Sequence, residues 1–194
     1  MLKDAAILFA ITVISGILLG VVYEITKEPI KVQEELAVAE ACSEVFEEAA
    51  SYEVPEGQAD GPTEVLLENF PEEQIDEVLE AKSDSGEVLG YILTVTTHEG
   101  YGGDIRFLMG IKNDGTLNGI SLLSISETAG LGMEAPNVLV PQFTDKAVTS
   151  FEYTKNGASA DNEIDAISGA TITTNAIVNG VNAGMYYFYN VLER

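Results

Sequence analysis

The longest pattern in the chain is a run without charge. From Ala5 to Tyr23 no residue is ionisable at neutral pH, and most positions are Ala, Ile, Leu, Val or Phe. Nineteen helical residues span roughly 28 Å, close to the hydrocarbon thickness of a bilayer. Tyr23 closes the run where an aromatic ring favours the interface, and Glu24, Lys27 and Glu28 follow at once. The pattern predicts a transmembrane anchor. The rival reading, a cleaved signal peptide, calls for a shorter apolar core and a small-residue cleavage site, and neither is present.

Beyond the anchor the pattern changes to spacings of three and four. Pro29 suits a kink or the first turn of a new helix. Val32, Leu36, Ala39, Cys42, Phe46 and Ala49 then trace one apolar face of a helix from about Ile30 to Ala50. Glu34, Glu35, Glu40, Glu44, Glu47 and Glu48 fall largely off that face. Pro55, Gly57, Gly61 and Pro62 mark Ser51 to Thr63 as a loop.

The middle of the chain is strand-like. Gln74 to Ala81 fits a strand, although its composition also permits a helix. After the Ser83–Gly86 turn, Val88 to Thr97 is rich in β-branched and aromatic residues. Arg106 to Lys112 and Thr116 to Ile125 flank the tight turn Asn113-Asp114-Gly115, an antiparallel hairpin. A glycine-containing loop (Ser126 to Gly132), a short helix or turn near Pro136 to Phe143, and a strand near Ala147 to Tyr153 come next. The last helix carries the stripe Ile172, Ala176, Ile177, Val181, Met185, Phe188, Val191 and Leu192. Gly180 and Gly184 on it allow close packing. The predicted class is α+β: an anchor over 1–28, a helix and linker over 29–62, and one domain over 63–194 with an antiparallel sheet and flanking helices.

Charge narrows the partners. The 32 acids and 9 bases give a formal charge of −23, which opposes binding to nucleic acid and to anionic lipid headgroups. With one cysteine, Cys42, the chain alone builds no disulfide or iron–sulfur cluster, and Cys42 reads as a buried small residue. His98 is the single histidine and sits at a strand end, so no multi-histidine metal site or histidine triad comes from this chain unaided. The acidic pairs Glu34-Glu35, Glu47-Glu48 and Glu72-Glu73 lack the ligand spacing of a calcium loop and read as solvated surface.

The candidate chemistry lies where the last helix begins. In Asp165-Ala166-Ile167-Ser168-Gly169-Ala170-Thr171, Ser168 is placed to cap the helix and Gly169 lets the backbone approach a ligand. Thr171 lies in the first turn, where free N–H groups and the helix dipole favour a phosphate. Taken alone, the segment reads first as a simple capped helix and only secondly as an anion site.

Asp165-x-x-Ser168-Gly169-Ala170-Thr171 resembles the flavinylation motif of the FMN-binding domain family. That family includes the G subunit of Rnf complexes (ion-translocating ferredoxin:NAD oxidoreductases) and the C subunit of sodium-translocating NADH:quinone reductases. Two more segments match in the same order. Gly100-Tyr101-Gly102-Gly103-Asp104-Ile105 resembles the family's glycine-rich loop. Ser126-Glu127-Thr128-Ala129-Gly130-Leu131-Gly132 resembles its Glu-Thr-Pro-Gly-Leu-Gly loop, with Ala129 in place of Pro.

The resemblance implies FMN joined covalently through its phosphate to Thr171 by a dedicated flavin transferase that uses FAD. Asp165, Ser168, Gly169 and Ala170 would form the recognition frame, and Thr173 and Thr174 are fallback acceptors. Tyr101, Gly102, Glu127, Thr128, Leu131 and Gly132 are expected around the flavin. The chain length favours the Rnf G type. An electron carrier is then expected, not a stand-alone enzyme, relaying electrons between ferredoxin and NAD with Na+ or H+ transport. Its partners would be the other membrane and peripheral subunits, and its setting a bacterial or archaeal plasma membrane. The charge flanking the anchor does not settle topology; an extracytoplasmic domain is expected on precedent. Two other readings stay open at this point: a non-redox, membrane-anchored binding module, and an independent extracellular flavoprotein reductase.

Overall fold

The computed structural model describes residues 2–55 and 65–193. The expected loop over Ser51 to Thr63, and the boundary at 62/63, lie outside the described residues from position 56 onward. The chain divides into two compact units, Met1–Ala39 and Glu40–Arg194.

The described residues of the first unit lie within one helix, α1 (Leu2–Val45), which is long and apolar enough to cross a membrane and whose most apolar stretch is wholly unburied. Pro29 lies inside α1, so the expectation of a new helix beginning after it is corrected. Proline removes one backbone donor, and on an exposed stretch such as this one water can satisfy the carbonyl left over. The exposed apolar residues continue past the charged flank, with Val32 49% and Leu36 57% exposed.

In the second unit, α1 ends at Val45 and not near Ala50, and its last residues Ala41, Cys42 and Val45 are buried. Phe46 follows, closing onto the Cys42 carbonyl at 2.9 Å. The reading of Cys42 as a buried small residue is borne out, and burial, reinforced by nearby Glu77, pushes its thiol up to about 11.

Five antiparallel strands make the sheet in sequential order: β1 (Ser51–Glu53), β2 (Glu73–Lys82), β3 (Val88–Thr97), β4 (Ile105–Lys112) and β5 (Leu117–Ser124). The ambiguous segment is a strand, β2, paired with β3 and interrupted by bulges near Asp76 and Ala81. Edge strand β1 falls where a loop was expected. It pairs Tyr52 with Ala81, and Lys82 Nζ meets Glu53 Oε2 at 2.8 Å. The two faces of the sheet bury different partners, following the period-two alternation of strands. Gly90 and Gly110 make room for the end of α1: a Cβ on either would fall within 3.0 Å of the Phe46 ring. Asn118 Nδ2 donates to the Val45 carbonyl and Ser121 Oγ to Glu44 Oε2, fastening β5 to the same helix end.

The opposite face holds the main core. Leu93, Val95, Ile105, Phe107, Met109 and Ile111 pack with Ile177, Val181, Met185 and Phe188 in one buried cluster. Helix α3 (Thr171–Tyr187), continued by a wider turn over Phe188–Leu192, provides that packing. Its glycines are used as expected: a Cβ on Gly180 would stand 2.9 Å from the Phe107 ring, and one on Gly184 only 2.1 Å from Met109 Sδ. Ile172 departs from the predicted stripe and is 53% exposed.

Between β5 and α3 lie α2 (Ala135–Val138), a 3-10 turn (Val140–Phe143) and a parallel pair, β6 (Glu152–Thr154) with β7 (Glu163–Asp165). The strand expected over Ala147 to Tyr153 is displaced to Glu152–Thr154. The Asn182 side chain of α3 accepts from Phe151 N–H at 2.7 Å and donates to its C=O at 2.9 Å, so this segment bonds to a helix side chain in place of a strand. The architecture is α+β, with an antiparallel sheet and flanking helices.

Candidate functional site

The start of α3 is shaped by a turn with one obligatory glycine. Ala170 N–H donates to the Ile167 carbonyl at 3.0 Å, closing a turn over Ile167–Ala170. Gly169 occupies its third position at φ +79°, a conformation that side chains resist. Ser168, at the exposed second position, does not cap the helix. The residue preceding α3 is Ala170, and it provides no side-chain cap, so the expected role of Ser168 is corrected. The first intrahelical bond runs from Thr174 N–H to the Ala170 carbonyl, leaving the N–H groups of Thr171, Ile172 and Thr173 ahead of it. Neither acid nor base stands in this first turn.

Three threonines occupy that turn and they differ sharply. Thr174 is fully buried; its hydroxyl donates to the Ala170 carbonyl at 3.0 Å and accepts from Ile167 N–H at 3.2 Å. Thr173 is 1% exposed and donates to Glu127 Oε2 at 3.0 Å. Thr171 is half-buried, and its hydroxyl has no hydrogen-bond partner among the described residues.

Thr171 opens into a cleft of about 490 Å³ lined by Tyr101, Glu127, Thr128, Leu131, Gly132, Gly169, Ala170, Thr171, Ile172 and Thr173. Nine of the residues singled out from the flavin resemblance therefore meet here, the fallback acceptor Thr173 among them, and Ile172 joins them. Ile172 was read as part of the core stripe; its position one residue into the helix, ahead of the first buried turn, was the signal available.

Asp165 and Ser168 do not line the cleft. Asp165 lies in β7, where Gln142 accepts from its N–H at 2.7 Å and donates to its C=O at 3.1 Å. Its own carboxylate accepts from Ala158 N–H at 2.7 Å. It holds the strand that leads into the turn. The sequence alone did not single out Gln142, a polar residue on a short helical turn without a motif.

Gly102 also stands back from the cleft, joined to it through Glu127. The Gly102 N–H donates to Glu127 Oε1 at 3.2 Å. A Cβ on Gly132 would fall 2.7 Å from the Glu127 Cβ, and one on Gly102 would fall 1.9 Å from the Ser126 carbonyl oxygen. The glycine-rich loops thus pack on each other's backbone, with the Glu127 side chain threaded between them. Gly130, at φ +74°, forms the second turn of this wall, where Leu131 N–H meets the Thr128 carbonyl at 3.1 Å. Leu131 Cδ2 then lies 3.1 Å from where a Cβ of Gly169 would stand.

The wall facing solvent is apolar: Tyr101 is 70% exposed, Leu131 39% and Ile172 53%. His98 lies apart from the cleft, exposed, with Nδ1 2.9 Å from Asp104 Oδ1, a contact that raises its pKa. The arrangement offers, at one end, helix-start N–H groups and a hydroxyl without partners among the described residues, and apolar surface for a flat ring beside them.

Comparison with known proteins identifies the family. A family model described as the FMN-binding domain matches residues 100–185, and one described as the RnfG N-terminal region matches residues 1–45. The G subunit of the Na+-translocating ferredoxin:NAD+ oxidoreductase complex of Acetobacterium woodii is 33% identical over 97% of this chain and 92% of its own length. The G subunit of the ion-translocating oxidoreductase complex of Methanosarcina acetivorans is 31% identical over 95% and 93%. That of the proton-translocating ferredoxin:NAD+ oxidoreductase complex of Clostridium ljungdahlii is 29% identical over 92% and 90%. Among solved structures, that of Shewanella oneidensis NqrC aligns with a TM-score of 0.46 and 18% identity, over 75% of this chain and 68% of that one. With an FMN-binding domain at its core, this chain belongs to the RnfG family, the G subunits of ion-translocating oxidoreductase complexes.

Proposed function

We propose that this chain is the flavin-carrying electron-transfer subunit of an Rnf-type complex, with FMN held covalently by a phosphoester to Thr171. The carrying observation is the contrast among the three threonines: Thr171 alone combines cleft exposure with a hydroxyl that has no partner among the described residues. The residues suit the group. The N–H groups of Thr171, Ile172 and Thr173 precede the first intrahelical bond, and at a helix start they would favour a phosphate joined to Thr171. A cleft of about 490 Å³ falls within the usual range for small-molecule sites, about 300–1,000 Å³.

Bound FMN supplies reversible acceptance of one or two electrons. The protein's part is placement. Tyr101, Leu131 and Ile172 offer apolar cover to a ring, and Glu127 fixes the loops around it. In the attachment, the Thr171 oxygen forms a bond to the FMN phosphorus of FAD as the pyrophosphate bond breaks. AMP leaves, and the hydroxyl proton is released. This step needs a flavin transferase.

By kinship with the G subunits of the relatives, the electrons would pass between centres of a ferredoxin:NAD+ oxidoreductase, with α1 packed among membrane subunits. The coupling ion differs by name between relatives, Na+ in one and H+ in another. The domain is assigned to the extracytoplasmic side of a plasma membrane, which a reporter fused after Arg194 would test: activity only in the cytoplasm would overturn it.

Intact-protein mass spectrometry of chain produced with and without a flavin transferase tests the carrier reading. An added FMN ester, mapped to the Thr171 peptide and abolished by Thr171→Val, is the expected result. No added mass, with a control substrate modified in the same cells, would overturn it in favour of a binding module.

A further inference from the structure

Beneath the N-terminal half of α3 lies a polar cluster separate from the cleft. The 17 residues of α3 include no Asp, Glu, Lys, Arg or His, and Asn175 and Asn179 stand one turn apart on it. Both side-chain amides donate to Glu99 Oε2, at 3.5 and 2.6 Å. The Glu99 N–H donates to Thr97 Oγ1 at 3.3 Å, and that hydroxyl donates to Glu73 Oε1 at 3.4 Å. Glu73 pairs with Thr97 across β2 and β3 and is only 4% exposed. Thr97 thus links the two acidic residues, its hydroxyl meeting both the Glu73 carboxyl and the Glu99 N–H.

Two neighbouring carboxyl groups, one of them buried, do not both ionise at ordinary cost; the charge of one raises the pKa of the other. The acids acting on Glu73 are Glu99 and, more weakly, Glu72. The nearby cations are committed elsewhere, His98 to Asp104 and Arg106 to Asp76. From α3 come only the two amides, both donating to Glu99 Oε2. The proton therefore resides on Glu73, where burial and then Glu99 push the carboxyl from 4.5 up to about 7.

We propose that Glu73 keeps a proton beside Glu99, and that this protonated Glu73, linked through Thr97 to Glu99 and its two amides, latches the first half of α3, with the Thr171 turn that begins it, onto the end of the sheet. The latch reaches the cleft by two short routes. A Cβ on Gly100, the residue after Glu99, would stand 3.0 Å from Glu127 Oε1. Asn175 is one helical turn beyond Thr171. Loss of the proton sets two carboxylates against each other and loosens both attachments.

The folded chain keeps this proton up to about pH 7, whereas a solvated glutamate releases it near 4.5. The contribution of the latch is thus complete below about pH 4.5, falls as pH rises, and is lost by about pH 7. This inference goes beyond the flavin assignment and does not depend on it, because the bare chain carries the latch.

The test uses the full chain, without flavin, in detergent micelles. Amide exchange over the first two turns of α3, corrected for intrinsic rates, is expected to accelerate at least about tenfold between pH 5 and pH 8. In Glu73→Gln, which keeps a neutral hydrogen-bonding side chain, that acceleration is expected to vanish. Infrared difference spectra of the wild-type chain should show a protonated-carboxyl band that titrates near pH 7, so the result does not hang on how well the variant folds. A wild-type chain without that band, pH-independent α3 exchange, or an unchanged acceleration in folded Glu73→Gln would each overturn the latch.

Discussion

Thr173 donates its hydroxyl to Glu127 Oε2 at 3.0 Å, so the first turn of α3 and the loop wall opposite are joined by one carboxylate whose other oxygen holds Gly102 N–H. Removing that carboxylate leaves a buried hydroxyl and a loop N–H without their acceptor. Glu127→Ala is expected to cost about 1–3 kcal/mol in thermal or urea unfolding. Glu127→Gln should recover much of the loss, because an amide can meet both groups. If Glu127→Ala unfolds no more readily than Glu87→Ala, an exposed control, the joining role is refuted.

The contact between the glycine loops gives a second prediction. A methyl on Gly102 would meet the Ser126 carbonyl oxygen at 1.9 Å, and backbone cannot step aside as a flexible side chain can. Gly102→Ala is expected to displace the loop, destabilise the fold by about 1–3 kcal/mol and impair flavin attachment. Gly119→Ala, where a methyl meets nothing within 4 Å, should leave attachment intact. Equal flavin yields from the two variants would rule this out.

Along α3, two glycines face neighbours of different stiffness. At Gly180 the added methyl presses on the Phe107 ring in the core, while at Gly184 it meets the flexible thioether of Met109. Helix propensity favours alanine equally at both positions, by about 1 kcal/mol. Gly180→Ala should therefore lower the melting temperature more than Gly184→Ala. The reverse order would mean that the Met109 pocket is the tighter one.

Ala129 occupies the second position of the turn closed by Leu131 N–H and the Thr128 carbonyl, with Gly130 at positive φ in the third. That is a position where proline is favoured. Ala129→Pro is expected to stabilise the chain by about 0.4–1 kcal/mol, chiefly by restricting the unfolded state. A lowered melting temperature would show that the φ of Ala129 is not the one proline requires.

Much of this fold is legible in the residues themselves. β3, β4 and β5 announce themselves through β-branched content and the Asn113-Asp114-Gly115 turn, and the anchor through its uncharged run. What stays hidden is set by partners distant in sequence. Edge strand β1 exists because Tyr52 finds Ala81, and the shift of β6 follows from Asn182 bonding Phe151. At the cleft, motif spacing brings Thr171 and the two glycine loops together. It misassigns Ser168 as a cap, because a helix start and a turn ending one residue before it share the same small, polar composition. The link from Glu73 through Thr97 to Glu99 escapes a sequence reading altogether: it joins a strand start to a loop 26 positions away, with no periodicity to report it.

The unequal threonines at the start of α3 bear on the regiochemistry of any reaction there. In synthesis, one alcohol among several is singled out by masking the others. Here Glu127 and the Ala170 carbonyl serve as the masks on Thr173 and Thr174. An enzyme arriving with an activated phosphate need not tell the three apart, since the substrate has already done so.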